Sequence, residues 1–539
     1  MRPMNMKKAI LKTQLLLAAL VAVALSLTAT AHAAAPGITS TSGAAGTFSL
    51  TAQPSYLNQP DGSTVYSWGY GCISGATPSF VPAAITNASC PTMQIPGPTL
   101  VVTEGQTVTV NLTNNLPAAA GNTSILFPGF TLSSTSGGVP GLLTQEAAPG
   151  GTVTYMFTAS TPGTHSYYSG TQSDLQIEMG LYGAIIVLPA NAPAACASGL
   201  HAANLTAEAF WKESDFRLST AAYDHDKTCY DREYLFQFSE MDANIHKQAL
   251  AQVTDPTRIA LCAAGAATPG CSLQVPTEPY HPAYFLINGR SMPDLMDPNY
   301  ALEYPHQPYN GNPHMHPGEQ VLLRVIGQGR WQHPFHEHAN HVRILARDGN
   351  LLLSAGNAED LAGLLMFTTT TTPGMAFDGI FYFTGRGLNW DMYGHNLTSP
   401  DASGKLPCTP DANGYNTGAP TAINFWEWCQ DHNKPLEVAP YGDVAAGGPA
   451  TLPNPNIFTN GAWYSGSPYL GPDATTRATG PTSVFLPSNT QANPANERGF
   501  AFMWHSHNER EITTNNVFPG GMMMMMLVDS REFVIDESN

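Results

Sequence analysis

Histidines recur two residues apart at two places in this chain: in an HPFHEH run that begins at His333, and in an HSH run that begins at His505. Side chains two residues apart on a β-strand point to the same face, so each run would present a pair of imidazoles to one side. Neutral imidazole binds Cu, Zn, Fe and Ni. Two such strands lying side by side predict one metal site, with His336, His338, His505 and His507 as the ligands. The alternative is that these histidines are hydrogen-bonded surface or core groups.

The elements that position these histidines are predicted to be short β-strands. Residues 99–112, 183–188, 320–326 and 522–528 are rich in β-branched or apolar residues and are bounded by turn residues. The chain also contains 49 Gly and 44 Pro among its 539 residues, which argues against long helices. The pattern predicts an all-β protein built from tandem β-sandwich or β-barrel domains.

The predicted domain organisation has three parts. Residues 1–33 read as a signal peptide, with a basic start, an apolar stretch and the small-x-small cleavage site Ala31-His32-Ala33. Residues 45–189 form a first domain, and residues 203–533 form a second domain with a loop-rich insertion at about 385–499. The apolar stretch is too short to span a bilayer comfortably, and no later stretch is apolar enough to anchor the chain. We therefore expect export through the Sec signal, to the periplasm or outside the cell.

The charge of the chain indicates which partners it can bind, and its cysteine content indicates the compartment. The chain has 22 Lys and Arg against 40 Asp and Glu, a net charge of -18, so it lacks the basic surface that phosphate contacts need. Nucleic acid is therefore excluded as an expected partner. Eight cysteines in an exported chain predict disulfides. The pairs closest in sequence are Cys72 with Cys90, Cys262 with Cys271, and Cys408 with Cys429.

Several motifs resemble those of the multicopper oxidase family of cupredoxin-fold proteins. The IPGPTL segment at Ile95 is similar to the family's opening strands, and the HPFHEH run at His333 is similar to its HPFHLH segment. The WHSH segment at Trp504, followed by Gly521-Met522, lies where the family has HCH, a further histidine and GM. The resemblance implies tandem cupredoxin-like Greek-key domains and bound copper.

The chain also departs from the family pattern at the copper ligands. The two HxH motifs that the family carries in its first domain correspond here to Leu126-Phe127-Pro128 and Tyr168-Ser169-Gly170. The type 1 copper cysteine corresponds to Ser506 and the downstream type 1 histidine to Glu511. A neutral hydroxyl is a poor replacement for the thiolate of a blue copper centre. The resemblance therefore implies a divergent member with a reduced, histidine-only site for one or two copper ions.

Some residues near these motifs have two interpretations. His333, a type 1 ligand by resemblance, is a weaker metal candidate, and we expect it to form a hydrogen-bonded or ion-paired remnant with Ser506 and Glu511. Tyr167 and Tyr168 are either substitute ligands or redox-active phenols, or they fill space. The five methionines of residues 522–526, and the HMH run at His314, either bind copper or, in the methionine run, pack as adaptable hydrophobes.

Three functions remain open from the sequence. The first is an exported copper-binding protein with at most limited oxidoreductase activity on a small-molecule or metal-ion substrate. The second is copper sequestration or delivery without turnover, and the third is a structural cell-surface scaffold without metal. The resemblance also allows a homo-oligomer such as a trimer, since two-domain relatives are often trimers with copper at subunit interfaces.

Overall fold

The computed structural model describes residues 34–384, 407–429, 466–469 and 499–537. The predicted signal peptide lies outside the described residues, and so does most of the predicted insertion. Two pairs of β-sheets account for most of the described chain. We refer to them as the N-terminal and the C-terminal sheet pair.

The N-terminal sheet pair contains two five-stranded sheets, and its first strand begins before residue 45, the predicted start of the domain. Its strands are β1 (Gly37–Ser40), β2 (Thr47–Asn58), β3 (Thr64–Cys72), β4 (Ser79–Val81), β5 (Leu100–Thr103), β6 (Thr107–Asn114), β7 (Leu132–Gly137), β8 (Val139–Pro140), β9 (Gln145–Glu146), β10 (Thr152–Thr158), β11 (Gly163–Tyr168) and β12 (Tyr182–Leu188). The strand orders are β11-β12-β5-β1-β4 and β3-β2-β6-β10-β7, and β8 pairs with β9 in a separate two-stranded sheet.

The C-terminal sheet pair contains the histidine runs. Its strands are β13 (Arg232–Met241), β14 (Tyr284–Ile287), β15 (His314–Met315), β16 (Gln320–Gly327), β17 (His333–Glu337), β18 (Val342–Arg347), β19 (Asn350–Leu351), β20 (Leu353–Ser354), β21 (Asn357–Leu361), β22 (Leu365–Met366), β23 (Thr368–Thr371), β24 (Ala376–Tyr382), β25 (Gly466–Tyr469), β26 (Gly499–Ser506) and β27 (Met523–Asp529). One sheet has the order β14-β13-β16-β24-β18-β19, with β22 also paired to β18. The other has the order β15-β27-β26-β17-β23, with β25 also paired to β26, and β20 pairs with β21.

Alternating residues explain why these segments form half-buried strands. In β6 and β10 every second residue is buried, and the antiparallel register places Val108 opposite Phe157 and Val110 opposite Tyr155. Apolar side chains thus meet across the strands on one face while threonines face outward. The predicted all-β class with tandem sheet domains is confirmed.

Four α-helices within the described residues connect or flank the sheets. They are α1 (Ser173–Gln176), α2 (Gly199–Trp211), α3 (Ala243–Val253) and α4 (Pro256–Ala263). The helices α3 and α4 begin after Asp242 and Asp255, whose carboxylates accept hydrogen bonds from backbone N–H groups of the first turn. Within the described part of the chain, no helix has the length and apolar character needed to cross a membrane.

The two sheet pairs meet through a buried carboxylate. Asp378 of β24 accepts hydrogen bonds from the backbone N–H and the hydroxyl of Thr164 in β11, at 3.1 and 2.5 Å, and from the hydroxyl of Tyr223. Arg324 lies beside it and donates to Glu233 at 2.8 Å. These contacts join β11 of the N-terminal sheet pair to β24 of the C-terminal sheet pair.

Four disulfides staple the described loops. The bonds Cys72–Cys90, Cys262–Cys271 and Cys408–Cys429 confirm the pairs that are closest in sequence, and Cys196–Cys229 is the fourth. All eight cysteines are therefore paired, and none remains as a thiol ligand for a metal.

Candidate metal centre

The two histidine runs lie on adjacent antiparallel strands. His336 of β17 stands directly opposite His505 of β26, and residues directly opposite in such a pair share one face of the sheet. His338 follows two residues after His336, directly after the end of β17. Potential ligand atoms of His336, His338 and His505 lie within 4.8 Å of one another, and all three residues are buried. We call these three residues the histidine triad.

His507, the fourth predicted ligand, lies at the exposed edge of the triad. Its ring centroid is 4.8 Å from that of His336 and 5.5 Å from that of His505. The backbone N–H of His507 donates to the carbonyl of Pro334 at 2.8 Å, which holds it against β17 after β26 has ended. The imidazole of His507 is exposed, unlike those of the triad.

The nitrogens of two triad members face each other at a separation suited to a shared ion. The Nε2 atoms of His338 and His505 are 3.2 Å apart. Two imidazole nitrogens bound to one tetrahedral metal ion at about 2.0–2.1 Å lie roughly 3.3–3.4 Å from each other. The pair is thus already close to the spacing that a single bound ion requires.

Hydrogen bonds to the other ring nitrogens orient the triad. His505 Nδ1 donates to the carbonyl of Ser506 at 2.6 Å, so its Nε2 carries the lone pair when the ring is neutral. His336 Nδ1 is paired with the hydroxyl of Thr368 at 2.7 Å. Such partners fix the ring orientation and the tautomer of histidines that ligate metals. The geometry fits a metal site made of imidazoles.

Burial keeps His336 and His505 in the form that binds metals. Burial, assisted by the neighbouring imidazoles of His338, His505 and His507, lowers the pKa of His336 to about 4. Burial also lowers the pKa of His505. A neutral imidazole offers its lone pair to a metal, whereas an imidazolium does not. At neutral pH these two rings are therefore ready to bind a cation without first losing a proton.

His333, the weaker candidate, lies apart from the triad. It shares the opposite face of β17 with Phe335, and its two ring nitrogens contact two buried carboxylates: Nε2 is 2.9 Å from Glu240 and Nδ1 is 2.8 Å from Glu511. The hydroxyl of Ser506 donates to the same oxygen of Glu511. Burial alone would lower the pKa of His333, but these carboxylates raise it to about 9.

The place that corresponds to a type 1 copper site is therefore filled by an ion-paired group. The sequence predicts a remnant formed by His333, Ser506 and Glu511, and in the structure Glu511 contacts His333 and accepts from Ser506. The sequence misses Glu240, which lies 93 residues away in β13 and also accepts from the backbone N–H groups of Arg330 and Trp331. It also misses Thr368, which is hidden within a run of threonines. No local pattern marks either residue, because their partners are determined by strand pairing.

The tyrosines that correspond to missing first-domain ligands pack within the protein. Tyr167 is buried, and its hydroxyl donates to the carbonyl of Pro98 at 2.8 Å in the N-terminal sheet pair. Tyr168 is half-buried, pairs with Leu126 through the backbone, and has its hydroxyl beside Gly374. Phe127 is buried in the same core as Tyr167. Tyr167 therefore fills space, which was one of the two interpretations.

The HMH run forms buried ion pairs. His314 Nδ1 is 2.6 Å from Asp529, and His316 Nε2 is 2.7 Å from Glu213. All four side chains are almost fully buried. These histidines tie the end of β27 and the segment after α2 to the C-terminal sheet pair. The methionines of residues 522–526 are also buried and belong to the core of that sheet pair.

Comparison with known proteins finds a segment that is similar to multicopper oxidases. Residues 85–192 match the family model described as multicopper oxidase. A 98-residue segment is 38% identical to multicopper oxidase MCE of Talaromyces pinophilus, and covers 18% of this chain and 15% of that protein. A 145-residue segment is 32% identical to copper resistance protein A of Escherichia coli, and covers 27% of this chain and 23% of that protein. The matched segments thus span less than a quarter of either relative.

A solved structure named multicopper oxidase mgLAC is similar over 90% of this chain and 86% of its own, with 16% identity and a TM-score of 0.44. These matches show a segment of this chain that is similar to multicopper oxidases and to copper resistance protein A. The multicopper oxidase match lies in the N-terminal sheet pair, whereas the histidine triad lies in the C-terminal pair.

Proposed function

We propose that this protein is an exported copper-binding member of the multicopper oxidase family with a histidine-only site. The site would hold one or two copper ions through His336, His338 and His505, with His507 at its exposed edge. The proposal is supported most directly by the 3.2 Å separation between the Nε2 atoms of His338 and His505. Imidazole suits copper, and the family that the chain resembles is a copper family.

Bound copper would supply one-electron redox chemistry, and the protein's own residues would hold the ion and keep it partly shielded. Two features point to limited turnover. Ser506 stands where the family has its type 1 thiolate, and His333 is already committed to Glu240 and Glu511. We therefore propose at most limited oxidoreductase activity, on a small-molecule or metal-ion substrate.

Copper sequestration or delivery without turnover is the second candidate function. The ion-paired His333 favours it, because a protein that only holds copper needs no second centre to pass on electrons. The predicted signal sequence and the four disulfides support a place in the periplasm or outside the cell, where thiols are oxidised. A homo-oligomer is compatible with either function.

Metal content tests the site directly. Protein exported into a copper-supplied periplasm and purified without chelator is expected to carry about one or two copper ions per chain, by elemental mass spectrometry. His338→Ala and His505→Ala should each lower copper affinity by at least about tenfold, since each removes a ligand of the same ion. His281→Ala, which removes an exposed imidazole outside the site, is the matched control. Equal copper content in all four proteins would refute the shared site, and no copper in any of them would favour the structural scaffold.

The copper-loaded protein is expected to lack intense blue absorption. That absorption requires a thiolate ligand, and all eight cysteines are bound in disulfides. Visible absorption and electron spin resonance of the loaded protein check this expectation, together with an assay of phenol oxidation. An intense blue band with robust phenol turnover would overturn the proposal of a reduced site.

A further inference from the structure

One row of side chains crosses four neighbouring strands at the level of the triad. Thr368 of β23 is opposite His336 of β17, His336 is opposite His505 of β26, and His505 is opposite Met523 of β27. Residues directly opposite in antiparallel strands share a face, with Cβ atoms about 4.5–5.5 Å apart. The hydrogen bond between Thr368 and His336 agrees with that rule. Met523 therefore lies next to His505 on the same face as the triad.

The other methionines of the run occupy different positions. Met524 is opposite Trp504 and Met526 is opposite Phe502, so both face the other side of the sheet. Met525 shares the face of Met523 but is opposite Met503, two residues further along the strand. That step moves it about 6.6–6.8 Å away from the level of the triad. Within the run from 523 to 526, Met523 alone stands at the level of His505.

The chemistry of a thioether beside imidazoles differs from that of imidazoles alone. Methionine sulfur is soft and favours Cu(I), whereas imidazole serves several divalent metals. Methionine also has three rotatable bonds, which let its sulfur reach a neighbouring group without moving the strand. Met523 is only 3% exposed, so little water would compete with its sulfur for a metal ion. A thioether in this position would add affinity for Cu(I) and little for Cu(II).

We propose that Met523 supplies a thioether ligand to the histidine triad and makes the site a receptor for Cu(I). This inference rests on the proposed copper site and adds the oxidation state of the copper ion that the site binds. Thr368, His336, His505 and Met523 then form one functional row, in which Thr368 orients an imidazole and Met523 selects the cuprous ion. The remaining methionines of the run serve packing.

The test compares Met523→Leu with Met525→Leu. Both substitutions preserve volume closely and are expected to fold, because such swaps cost less than about 1.5 kcal/mol. Anaerobic competition with a coloured Cu(I) chelator measures Cu(I) affinity, and a parallel titration measures Cu(II) affinity. Met523→Leu should lower Cu(I) affinity by at least about tenfold and leave Cu(II) affinity nearly unchanged, whereas Met525→Leu should change neither. The copper K-edge absorption spectrum of the Cu(I) protein should show a sulfur neighbour that Met523→Leu removes.

Two results would overturn the inference: equal Cu(I) affinity in the two variants, or a K-edge spectrum without sulfur in the parent protein. The variant His505→Ala distinguishes failure of the inference about Met523 from failure of the copper site itself. If the triad is the site, His505→Ala weakens both Cu(I) and Cu(II), even where Met523→Leu has no effect. If His505→Ala changes neither, the proposed function fails, and the inference about Met523 fails with it.

Discussion

Replacement of His333 by leucine is expected to destabilise the protein by about 3–5 kcal/mol, the cost of breaking a buried ion pair by removing one partner. Glu240 and Glu511 have side chains that are 0% and 2% exposed, and both contact the imidazole of His333. Without the imidazole, two carboxylates would remain in the core with no cation between them. Urea unfolding, followed by fluorescence, measures the loss.

Matched variants distinguish the effect of the unpaired buried charges on stability from the effect of lost packing. His281→Leu, at an exposed histidine, should change the midpoint of unfolding little. Adding Glu240→Gln and Glu511→Gln to His333→Leu should recover part of the lost stability, because the unpaired charges are then gone. A loss below about 1 kcal/mol for His333→Leu alone would contradict the assignment of this group as a buried ion pair.

The same group gives the stability of the parent protein a pH dependence with a defined sign. The pKa of His333 is raised to about 9 in the folded protein, whereas an unfolded histidine titrates near about 6.5. Its contribution is fully present below about pH 6.5 and is lost as the pH rises through about 9. The contribution is on the order of 3 kcal/mol, at 1.36 kcal/mol per pKa unit. In His333→Leu this part of the decline between pH 6.5 and pH 9 should be absent.

The sequence predicts the parts of this site that depend on local periodicity. Two HxH runs in β-rich segments are enough to place His336 with His338, and His505 with His507, on common faces. The antiparallel register that sets His336 opposite His505 depends on strand pairing across 169 residues of chain. The sequence motif alone does not contain that register. For the same reason the partner of Met523 and the contact of Glu240 with His333 emerge only from the folded sheets.

Strand alternation also explains which predictions about the methionines could be made. Alternation predicts that a five-residue run in a terminal strand divides between two faces, and the register of β27 agrees with that division. It cannot say which face carries the histidines, because that depends on the neighbouring strand. Only the folded sheet therefore distinguishes Met523 from Met524. This distinction supports the proposal that Met523, and not its neighbour, is a copper ligand.

Replacement of Glu337 by leucine is expected to stabilise the protein by roughly 1–3 kcal/mol. The substitution removes a buried polar group that is poorly satisfied, and leaving such a group in the core costs about that much free energy. Glu337 is 0% exposed and lies on the face of β17 opposite the triad. One carboxyl oxygen accepts from Thr369 at 3.2 Å, and the other has no hydrogen-bond partner among the described residues. Leucine is the residue of the family's HPFHLH segment at this place, so an apolar side chain suits the position.

The stability gain expected for Glu337→Leu depends on pH, because Glu337 is buried. Burial raises the pKa of Glu337 well above its ordinary value, so the folded protein favours the protonated acid. The parent protein is therefore most stable, with respect to this group, below the unfolded pKa of about 4.3, and it loses stability as the pH rises toward the raised pKa. The advantage of Glu337→Leu should grow over that range. Glu337→Gln, which removes the titration but keeps a polar group, should flatten the pH dependence with a smaller gain.

Copper binding provides the control for Glu337, because the residue sits between two triad histidines in sequence but faces away from them. Glu337→Leu should keep the copper content of the parent protein, since the Nε2 atoms of His338 and His505 lie on the other side of the strand from the carboxyl. Thermal unfolding without metal and elemental analysis with metal measure the two properties separately. Lower stability in Glu337→Leu would show that the carboxyl is satisfied in the core. Unchanged stability with lost copper would show instead that the carboxyl supports the metal site through the strand.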